Sequence, residues 1–321
     1  MRVVFMGTPE FAVTCLDQII KAGHDVVTVV TTPDKPAGRG QHLHFSDVKN
    51  YALEHNLPLL QPEKMKDPAF IEQLQQLNAD VFVVVAFRML PSEVYNIPPK
   101  GTFNVHASLL PQYRGAAPIQ WAIINGEKKS GVTTFFLNEH TDMGEIILQT
   151  EVEIENTDCA GTFHDKLMYA GAAIAIQTLK AIEEGTAKPY PQPTCEELKP
   201  APKIFKNDML INWNDSAENI YNKIRGLSPY PTAYTRIGCL DSDGNPTDKI
   251  MGIKIYECSI TEQSSAKAPG NINILDNNKL YISTKTKDIS IDILQFEGKK
   301  RMKTSDFLAG FRKNNYTNIL N

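Results

Sequence analysis

Cysteine is scarce in this 321-residue chain, and the five that occur are widely separated. No two of them form a C-x-x-C pair, so the sequence indicates neither a zinc site nor a disulfide framework. Long hydrophobic runs are also missing, since none approaches the roughly 20 residues that a membrane-spanning helix needs. The first residues, MRVVFMGTPEF, meet a threonine and a proline too early for a signal peptide. We therefore expect a protein of a reducing cytoplasm.

Several common catalytic patterns are missing as well. The segment GTPEF, which follows the first predicted strand, has one glycine where a dinucleotide fingerprint needs three. This argues against an NAD-dependent dehydrogenase, while a tight turn from strand to helix remains compatible. Neither G-x-S-x-G nor H-E-x-x-H occurs. His42 and His44 alternate without a third ligand at useful spacing, so metal catalysis is not indicated.

Charge is distributed unevenly along the chain, whose net charge is -4. Residues 1–202 hold 16 Lys and Arg against 24 Asp and Glu, or -8. Residues 203–321 hold 17 against 13, or +4. A basic part beside an acidic one is a mild indication of a polyanionic partner, with chance variation between two solvated surfaces as the alternative.

The pattern of elements predicts two domains. Up to residue 188, continuously apolar strands alternate with amphipathic helices, which is typical of a doubly wound α/β domain with a mostly parallel sheet. Residues 189–203 are rich in proline and read as an extended linker. From residue 204 to 321, short strands separated by turn residues predict a small antiparallel barrel. Ser46 is expected to cap one helix, and Thr162 with Asp165 to form a capping box on another.

The stretch FNVHASLLPQYRGAAP, beginning at Phe103, carries the first candidate site. Asn104, His106 and Ser108 alternate and so share one face of a predicted strand. In an open α/β sheet, ligands bind beyond the carboxyl ends of the strands. An Asn amide there can donate to a developing oxyanion, and a His can move a proton near neutral pH. The alternative is a structural histidine with satisfied hydrogen bonds.

A second candidate, Asp142, lies in the turn EHTDMGEI after the predicted strand GVTTFFLN. Adjacent strands are about 4.8 Å apart, so neighbouring strand ends could bring Asp142 close to His106. An Asp beside a His fixes the tautomer and the orientation of the imidazole ring. On its own, Asp142 also fits the role of a turn-forming residue.

Together these residues resemble the catalytic centre of the 10-formyltetrahydrofolate-dependent formyltransferases. The match consists of Asn104-x-His106-x-Ser108-Leu-Leu-Pro111 followed by Asp142. The stretches FMGTPEFAV, TTPDKPAGRG, YRGAAPIQW, NEHTDMGEI and IRGLSPYP narrow the resemblance to the methionyl-tRNA formyltransferases. The resemblance implies a Rossmann-like catalytic domain and an OB-like carboxyl-terminal domain that helps to bind tRNA.

The activity implied is formyl transfer from 10-formyltetrahydrofolate to the α-amine of methionyl initiator tRNA, for translation initiation. We also expect a cytoplasmic monomer that uses no metal and no membrane. A formyltransferase acting on an amino sugar nucleotide remains an alternative, as does a non-catalytic tRNA-binding module.

The resemblance also assigns roles to individual residues. Asn104, His106 and Asp142 would form the catalytic set. Two apolar segments would line the folate site, namely Ser108, Leu109, Leu110 and Pro111 together with Phe87, Arg88, Met89 and Leu90. Phe11 would contact the methionine side chain, and Arg39 and His42 would contact the tRNA. This chain has Phe87-Arg88 where many relatives have Tyr-Gly. It has Gln41, His42 and His44 after GRG, where many relatives have lysines.

Overall fold

The computed structural model describes residues 1–37, 42–194, 197–275 and 278–320. Contacts between Cα atoms divide the chain into two units. The first comprises Met1–Pro118, Lys129–Glu153 and His164–Pro202. The second comprises Ile119–Lys128, Ile154–Phe163 and Lys203–Asn321. Two short segments that precede the proline-rich stretch therefore belong to the second unit by their contacts.

The elements up to residue 183 alternate between strands and helices. In chain order they are β1 (Arg2–Gly7), α1 (Glu10–Lys21), β2 (Asp25–Val30), β3 (Lys35–Ala37), β4 (His42–His44), α2 (Asp47–Glu54), β5 (Leu59–Leu60), α3 (Pro68–Gln76), β6 (Val81–Val85), α4 (Ser92–Tyr95), β7 (Thr102–His106), α5 (Pro118–Ile124), β8 (Lys129–Phe136), β9 (Ile146–Glu153) and α6 (Ala160–Glu183).

The main sheet of the first unit has the strand order β5-β2-β1-β6-β7-β8-β9. Each neighbouring pair is parallel except β7 with β8 and β8 with β9, so β8 alone runs against the other strands of this sheet. Strand order reverses beside β1, and the crevice at the carboxyl ends of such strands is the usual ligand site. The predicted mostly parallel, Rossmann-like sheet is confirmed.

Side chains of the central strands point alternately to the two faces of this sheet, and helices cover them on both faces. One face packs against α3 and α4, through Val4, Met6, Phe82, Val84, Phe70, Leu74 and Val94. On the other face α6 approaches α1 and β7, because a Cβ at Gly171 would lie 2.9 Å from the Phe11 ring and 3.5 Å from Val105. Asn104 pairs with Val84, so Asn104 and His106 lie on the α3–α4 face.

The turn GTPEF is a close strand-to-helix connection. A Cβ at Gly7 would lie 2.5 Å from the Ala12 Cβ and 3.1 Å from the Val85 oxygen, so only glycine allows α1 to pack this closely on β1 and β6. Helix α1 begins at Glu10, with Pro9 as its extended N-cap residue. The single glycine therefore has a packing role.

The helix ends test the two capping predictions. Helix α2 begins after Ser46, whose side chain accepts a hydrogen bond from the Lys49 amide at 3.1 Å, as predicted. The predicted capping box of Thr162 and Asp165 is wrong, because α6 begins at Ala160 and Thr162 lies in its first turn. The Thr162 hydroxyl accepts from the Cys159 amide and donates to Asp158, which places the cap three residues earlier.

In the part of the second unit that follows residue 203, an α-helix precedes an antiparallel sheet. In chain order the further elements of this unit are α7 (Ala217–Leu227), β10 (Ala233–Leu240), β11 (Pro246–Ser264), β12 (Ile272–Leu275), β13 (Lys279–Ile282), β14 (Lys287–Phe296), β15 (Met302–Lys303), α8 (Thr304–Gly310) and β16 (Tyr316–Leu320). Single 3-10 turns lie at Lys206–Met209 and Lys313–Asn315.

This second sheet is curled into a small barrel. Its strand order is β12-β13-β14-β11-β10-β16, with β15 beside β14. The two edges meet, because the Ile319 amide donates to the Gly270 carbonyl at 3.0 Å, next to β12. Trp213 is fully buried inside and donates its indole N–H to the Thr235 hydroxyl. The antiparallel, OB-like barrel predicted for the carboxyl-terminal part is confirmed.

Candidate functional site

His106 ends β7 and is almost completely buried, with 7% of its surface exposed. Its Nε2 lies 3.0 Å from the Tyr113 carbonyl oxygen, and its Nδ1 lies 4.0 Å from Oδ2 of Asp142. A carbonyl oxygen only accepts, so the hydrogen bond requires a hydrogen on Nε2. Nδ1 is therefore the ring nitrogen that faces the carboxylate. The structure thus brings together two residues that lie 36 positions apart in the sequence.

Asp142 is held by its backbone and by its carboxylate. Its φ is +55°, a left-handed conformation that Asp tolerates better than most residues. Oδ2 accepts a hydrogen bond from the Gly115 amide at 3.0 Å, and the Asp142 carbonyl accepts from Gln192 Nε2 at 2.8 Å. Gln192 in turn accepts from Arg114 Nε at 3.0 Å. The carboxylate is therefore fixed next to the imidazole by the loop that follows β7.

Two glycines make this arrangement possible. Gly115 has φ +127°, and a Cβ there would lie 2.4 Å from the Ala201 oxygen. Gly144 does not have a positive φ, but a Cβ there would lie 1.6 Å from the Phe136 oxygen. Both contacts involve backbone atoms that side-chain movement cannot relieve. Both positions therefore require glycine.

Asn104 lies two residues before His106 on the same face of β7 and is half-buried. Within the part of the chain that the structure describes, its carboxamide has no hydrogen-bond partner. A half-buried amide with free donors is suited to a bound oxygen atom. Asn104 thus differs from His106, whose Nε2 is already engaged with the protein.

The segment Ser108–Pro111 is anchored by the sheet beneath it. Ser108 is fully buried, and its hydroxyl donates to the Gln112 carbonyl at 2.7 Å. The Thr133 hydroxyl donates to the Ser108 carbonyl at 2.7 Å and accepts from the Leu110 amide at 3.1 Å. Leu110 packs with Phe135 and Ile146. Leu109 is half-buried, and its side chain is the more exposed of the two leucines.

The segment Phe87–Leu90 follows β6, the strand next to β7. Leu90 is buried, Phe87 is half-buried and Met89 is 74% exposed. The Arg88 guanidinium donates to the carbonyls of Pro62 and Glu63, in the stretch after β5. Burial lowers the pKa of Arg88 from its ordinary value, and within the described residues its buried Nε has no hydrogen-bond partner. Arg88 therefore links two loops at the carboxyl edge of the sheet.

The three residues predicted to contact the acceptor are described to different extents by the structure. Phe11 is buried on α1, with its ring edge-on to the His164 ring at a centroid distance of 5.6 Å. Arg39 lies outside the described residues, and His42 is described only through its backbone, as the first residue of β4. The structure therefore gives a side-chain position for Phe11 alone among these three.

Sequence reasoning missed several residues that build this site. Tyr113, Arg114, Gly115 and Gln192 supply the hydrogen bonds around His106 and Asp142. The glycine and arginine of YRGAAP were the available signal, since a glycine in a polar loop often marks an unusual φ. Gln192 belongs to the proline-rich stretch and carries no local signal.

The described residues contain neither a metal-binding cluster nor a membrane-spanning helix. No group of three or more His, Cys, Asp or Glu side chains there is arranged to hold a metal ion. No helix in the same ranges has the length and apolar character needed to cross a membrane.

Known proteins are similar to this chain over nearly its full length. The family model described as Formyl transferase matches residues 1–179, and the model described as Formyl transferase, C-terminal domain matches residues 203–312. A methionyl-tRNA formyltransferase of Bacteroides fragilis is 48% identical over 97% of this chain and 95% of its own length. That of Clostridioides difficile is 43% identical over 97% of each chain.

Solved structures resemble the fold at low sequence identity. WlaRD, a sugar 3N-formyl transferase crystallised with dTDP and 5-N-formyl-THF, superposes with a TM-score of 0.64 at 21% identity. The match covers 94% of this chain and 99% of WlaRD. HypX from Aquifex aeolicus, in complex with tetrahydrofolic acid, also gives 0.64, at 18% identity over 98% of this chain and 48% of HypX.

Proposed function

Because the chain belongs to the formyl transferase family, and within it to the methionyl-tRNA formyltransferases, we propose that it formylates methionyl initiator tRNA. The formyl donor is 10-formyltetrahydrofolate, and the product N-formylmethionyl-tRNA serves translation initiation. The observation that carries the proposal is the His106–Asp142 pair beside the free carboxamide of Asn104. It occurs in a chain that is 48% identical to a methionyl-tRNA formyltransferase over nearly its full length.

The formyl transfer proceeds in three steps. The neutral α-amine attacks the formyl carbon, a tetrahedral centre with a negatively charged oxygen forms, and the bond from that carbon to folate N10 breaks. Asn104 donates a hydrogen bond to the oxyanion, and protonated His106, whose Nε2 is held by the Tyr113 carbonyl, stabilises it through its positive charge. Such electrostatic stabilisation is usually the largest single catalytic effect in acyl transfer. Asp142 holds His106 and assists the movement of a proton from the amine to N10.

The folate site is proposed at the carboxyl ends of β6 and β7. The half-buried Phe87 and Leu109, together with the exposed Met89, supply apolar surface for the flat pterin ring. Ligand pockets in proteins are mostly apolar with a few placed polar groups, which fits this composition. The Ser108 hydroxyl is engaged with Gln112, so we propose that Ser108 supports the loop and contacts folate through its backbone.

The acceptor is proposed to contact both parts of the chain. Phe11 packs against the methionine side chain, and Arg39 and His42 contact the tRNA. Residues 204–321 form the tRNA-binding domain, joined by the linker 189–203 to the catalytic domain 1–188, and their net charge favours a polyanion. We further propose that the protein acts as a cytoplasmic monomer that needs no membrane and no metal.

One assay tests the proposal directly. The purified protein is incubated with 10-formyltetrahydrofolate and either methionyl initiator tRNA or a nucleotide-linked amino sugar, and the products are identified by mass. Formylmethionine released from the tRNA together with stoichiometric tetrahydrofolate is the expected result. Formylation of the sugar alone would show that the protein is an amino-sugar formyltransferase. Binding of tRNA without release of tetrahydrofolate would show that it is a non-catalytic binding module.

The roles of Asn104 and His106 are tested by Asn104→Ala and His106→Ala. Each change should lower kcat by ~10²- to 10³-fold, the usual effect of removing one group that stabilises the oxyanion. Binding of methionyl-tRNA should remain near the wild-type level, because neither side chain is part of the proposed tRNA-binding surface. Near-normal kcat in a folded variant would remove that residue from the mechanism.

A further inference from the structure

The outer surface of the barrel carries a row of polar and aromatic side chains across three strands. Along β10 and β11, buried residues alternate with outward ones, so Tyr234 and Lys254 point away from the core. They lie opposite each other in the β10–β11 register, and Lys254 lies opposite Gln295 of β14. Tyr256 donates its hydroxyl hydrogen to Gln295 at 3.0 Å. We call the row Tyr234–Lys254–Gln295 the outer row.

A cavity of about 680 Å³ opens beside the outer row. Gly252 forms part of its lining, and in the next cross-strand row Gly252 lies opposite Arg236. Because glycine has no side chain, the surface is recessed at this point between Arg236 and Glu297. The volume falls within the range of small-molecule pockets, roughly 300–1,000 Å³, and so suits one nucleotide.

The charges around this cavity favour an anion. Lys206, Arg236 and Lys254 line it and are exposed, and Glu297 is the single acidic residue among the lining residues that the structure describes. The Glu297 carboxylate accepts a hydrogen bond from the Gly252 amide at 2.8 Å, so its charge is partly engaged by the backbone. Three cations against one engaged carboxylate are complementary to phosphate.

The aromatic side chains at the cavity are unusually accessible. Tyr230 is 81% exposed and lines the cavity together with the half-buried Tyr234. The Arg236 guanidinium lies 5.9 Å from the centroid of the Tyr234 ring. Proteins bind single-stranded nucleic acid with surfaces of this kind, in which a solvent-exposed aromatic ring lies beside cations on a curled antiparallel sheet. The bases stack on the ring and the cations contact the phosphates.

We propose that this cavity holds one unpaired nucleotide of the bound tRNA, with its base stacked on Tyr230 and its phosphate beside Arg236 and Lys254. The inference rests on the proposed function for the identity of the partner. It goes further in stating that the barrel reads a single-stranded feature of the tRNA. A duplex cannot supply this contact, because its bases are stacked on each other and their faces are not available.

The first experiment measures steady-state formylation of methionyl-tRNA by the full chain. Tyr230→Ala should raise KM for methionyl-tRNA about tenfold, which is within the range for loss of one base–aromatic stack. The kcat at saturating tRNA should stay unchanged. Tyr230→Phe keeps the ring and should behave as wild type, as should Lys100→Gln, which removes an exposed lysine from the first unit. An unchanged KM in Tyr230→Ala would overturn the proposal.

The second experiment separates an unpaired base from the phosphate backbone. Binding of a short single-stranded RNA and of a blunt RNA duplex is measured over a range of salt concentrations. Tyr230→Ala should weaken binding of the single-stranded RNA about tenfold and leave binding of the duplex unchanged. Arg236→Gln and Lys254→Gln should each reduce the salt slope for the single strand by about one. Equal losses for both RNAs would overturn the proposal in favour of backbone binding.

The two experiments also distinguish the inference from the function on which it rests. If the wild-type protein formylates methionyl-tRNA and Tyr230→Ala changes nothing, the cavity proposal fails alone. If the wild-type protein formylates no tRNA, the proposed function fails. The RNA-binding comparison then still decides whether the cavity takes an unpaired nucleotide.

Discussion

At the scale of single residues, the carboxylate of Asp142 has two partners, and each depends on a different property of that carboxylate. The Gly115 amide needs only an oxygen atom, whereas the His106 ring, 4.0 Å away, responds to negative charge. An Asn side chain at this position would keep the oxygen and would also tolerate the φ of +55°. Charge and shape can therefore be tested separately at this residue.

We expect Asp142→Asn to lower kcat by ~10²-fold or more while leaving thermal stability near that of the wild type. Asp142→Ala should lose a similar factor in kcat and should also unfold at lower temperature, since it leaves the Gly115 amide without its acceptor. Glu139→Gln is the matched control, because it neutralises an exposed carboxylate near His140 in the same turn. Wild-type kcat in Asp142→Asn would show that the charge has no catalytic role.

Gly115 is expected to be intolerant of any side chain. Gly115→Ala would place a Cβ 2.4 Å from the Ala201 oxygen at φ +127°. The unfolding free energy should fall by about 1–3 kcal/mol from strain, and kcat should fall because the Gly115 amide moves away from Asp142. Gly244→Ala, at φ +84° with no atom within 4 Å of the added Cβ, is the control for backbone strain alone. Denaturant titration should show a larger loss for Gly115→Ala.

Part of the site could be predicted from residue types, and part could not. The approach of Asp142 to His106 was predicted, but for a reason that the structure does not support. Strand β8 runs antiparallel to β7, so its last residue lies opposite Phe103 at the start of β7, and the turn after β8 brings Asp142 back to His106. The Tyr113 carbonyl that accepts from His106 is a backbone atom, so no side-chain pattern indicates it. Gln192 reaches Asp142 across 50 positions, a contact that depends on how the proline-rich stretch folds back.

At the scale of elements, predictions were best where a single periodic signal determined the outcome. The apolar strands and the first residues of α2 were predicted, because burial and a serine cap both act locally. The start of α6 was misplaced because Asp158, Thr162 and Asp165 are all plausible capping residues. Asp158 accepts from the Glu155 amide at 2.8 Å, a turn contact that fixes the helix start and has no marker in the helix sequence.

Arg88 gives a prediction that concerns two loops at once. Its guanidinium joins the loop after β6 to the Pro62–Glu63 stretch after β5. Arg88→Met keeps the aliphatic packing but removes these hydrogen bonds. We expect KM for 10-formyltetrahydrofolate to rise about 5- to 10-fold, the effect of losing a charged hydrogen bond or two. The KM for methionyl-tRNA should stay constant, as should both values in Lys100→Met, a change at an exposed position of the first unit. Equal rises for both substrates in Arg88→Met would contradict this role.

At the scale of the whole molecule, composition and contacts place the boundary between units differently. Arg225 is 7% exposed and donates to the carbonyls of Glu155 and Asp158, and Tyr221 donates to the Asn156 carbonyl. These contacts place 154–163 in the second unit, although the segment precedes the proline-rich stretch. Composition marks where the chain is extended, and only tertiary contacts show which segments share a core. Point variants in the full chain therefore test the second unit more cleanly than truncation at residue 204.

The charge difference between the two parts of the chain leads to a prediction about salt. If residues 203–321 bind phosphates, kcat/KM for methionyl-tRNA should fall steeply as salt rises, because condensed counterions are released on binding. KM for 10-formyltetrahydrofolate should change much less. Lys299 and Lys300 are exposed in the turn between β14 and β15, and changing both to Gln should reduce the salt slope by about two. Lys100→Gln, at an exposed position of the first unit, should leave the slope unchanged. A wild-type kcat/KM that does not depend on salt would show that the basic residues of this unit do not contact the tRNA backbone.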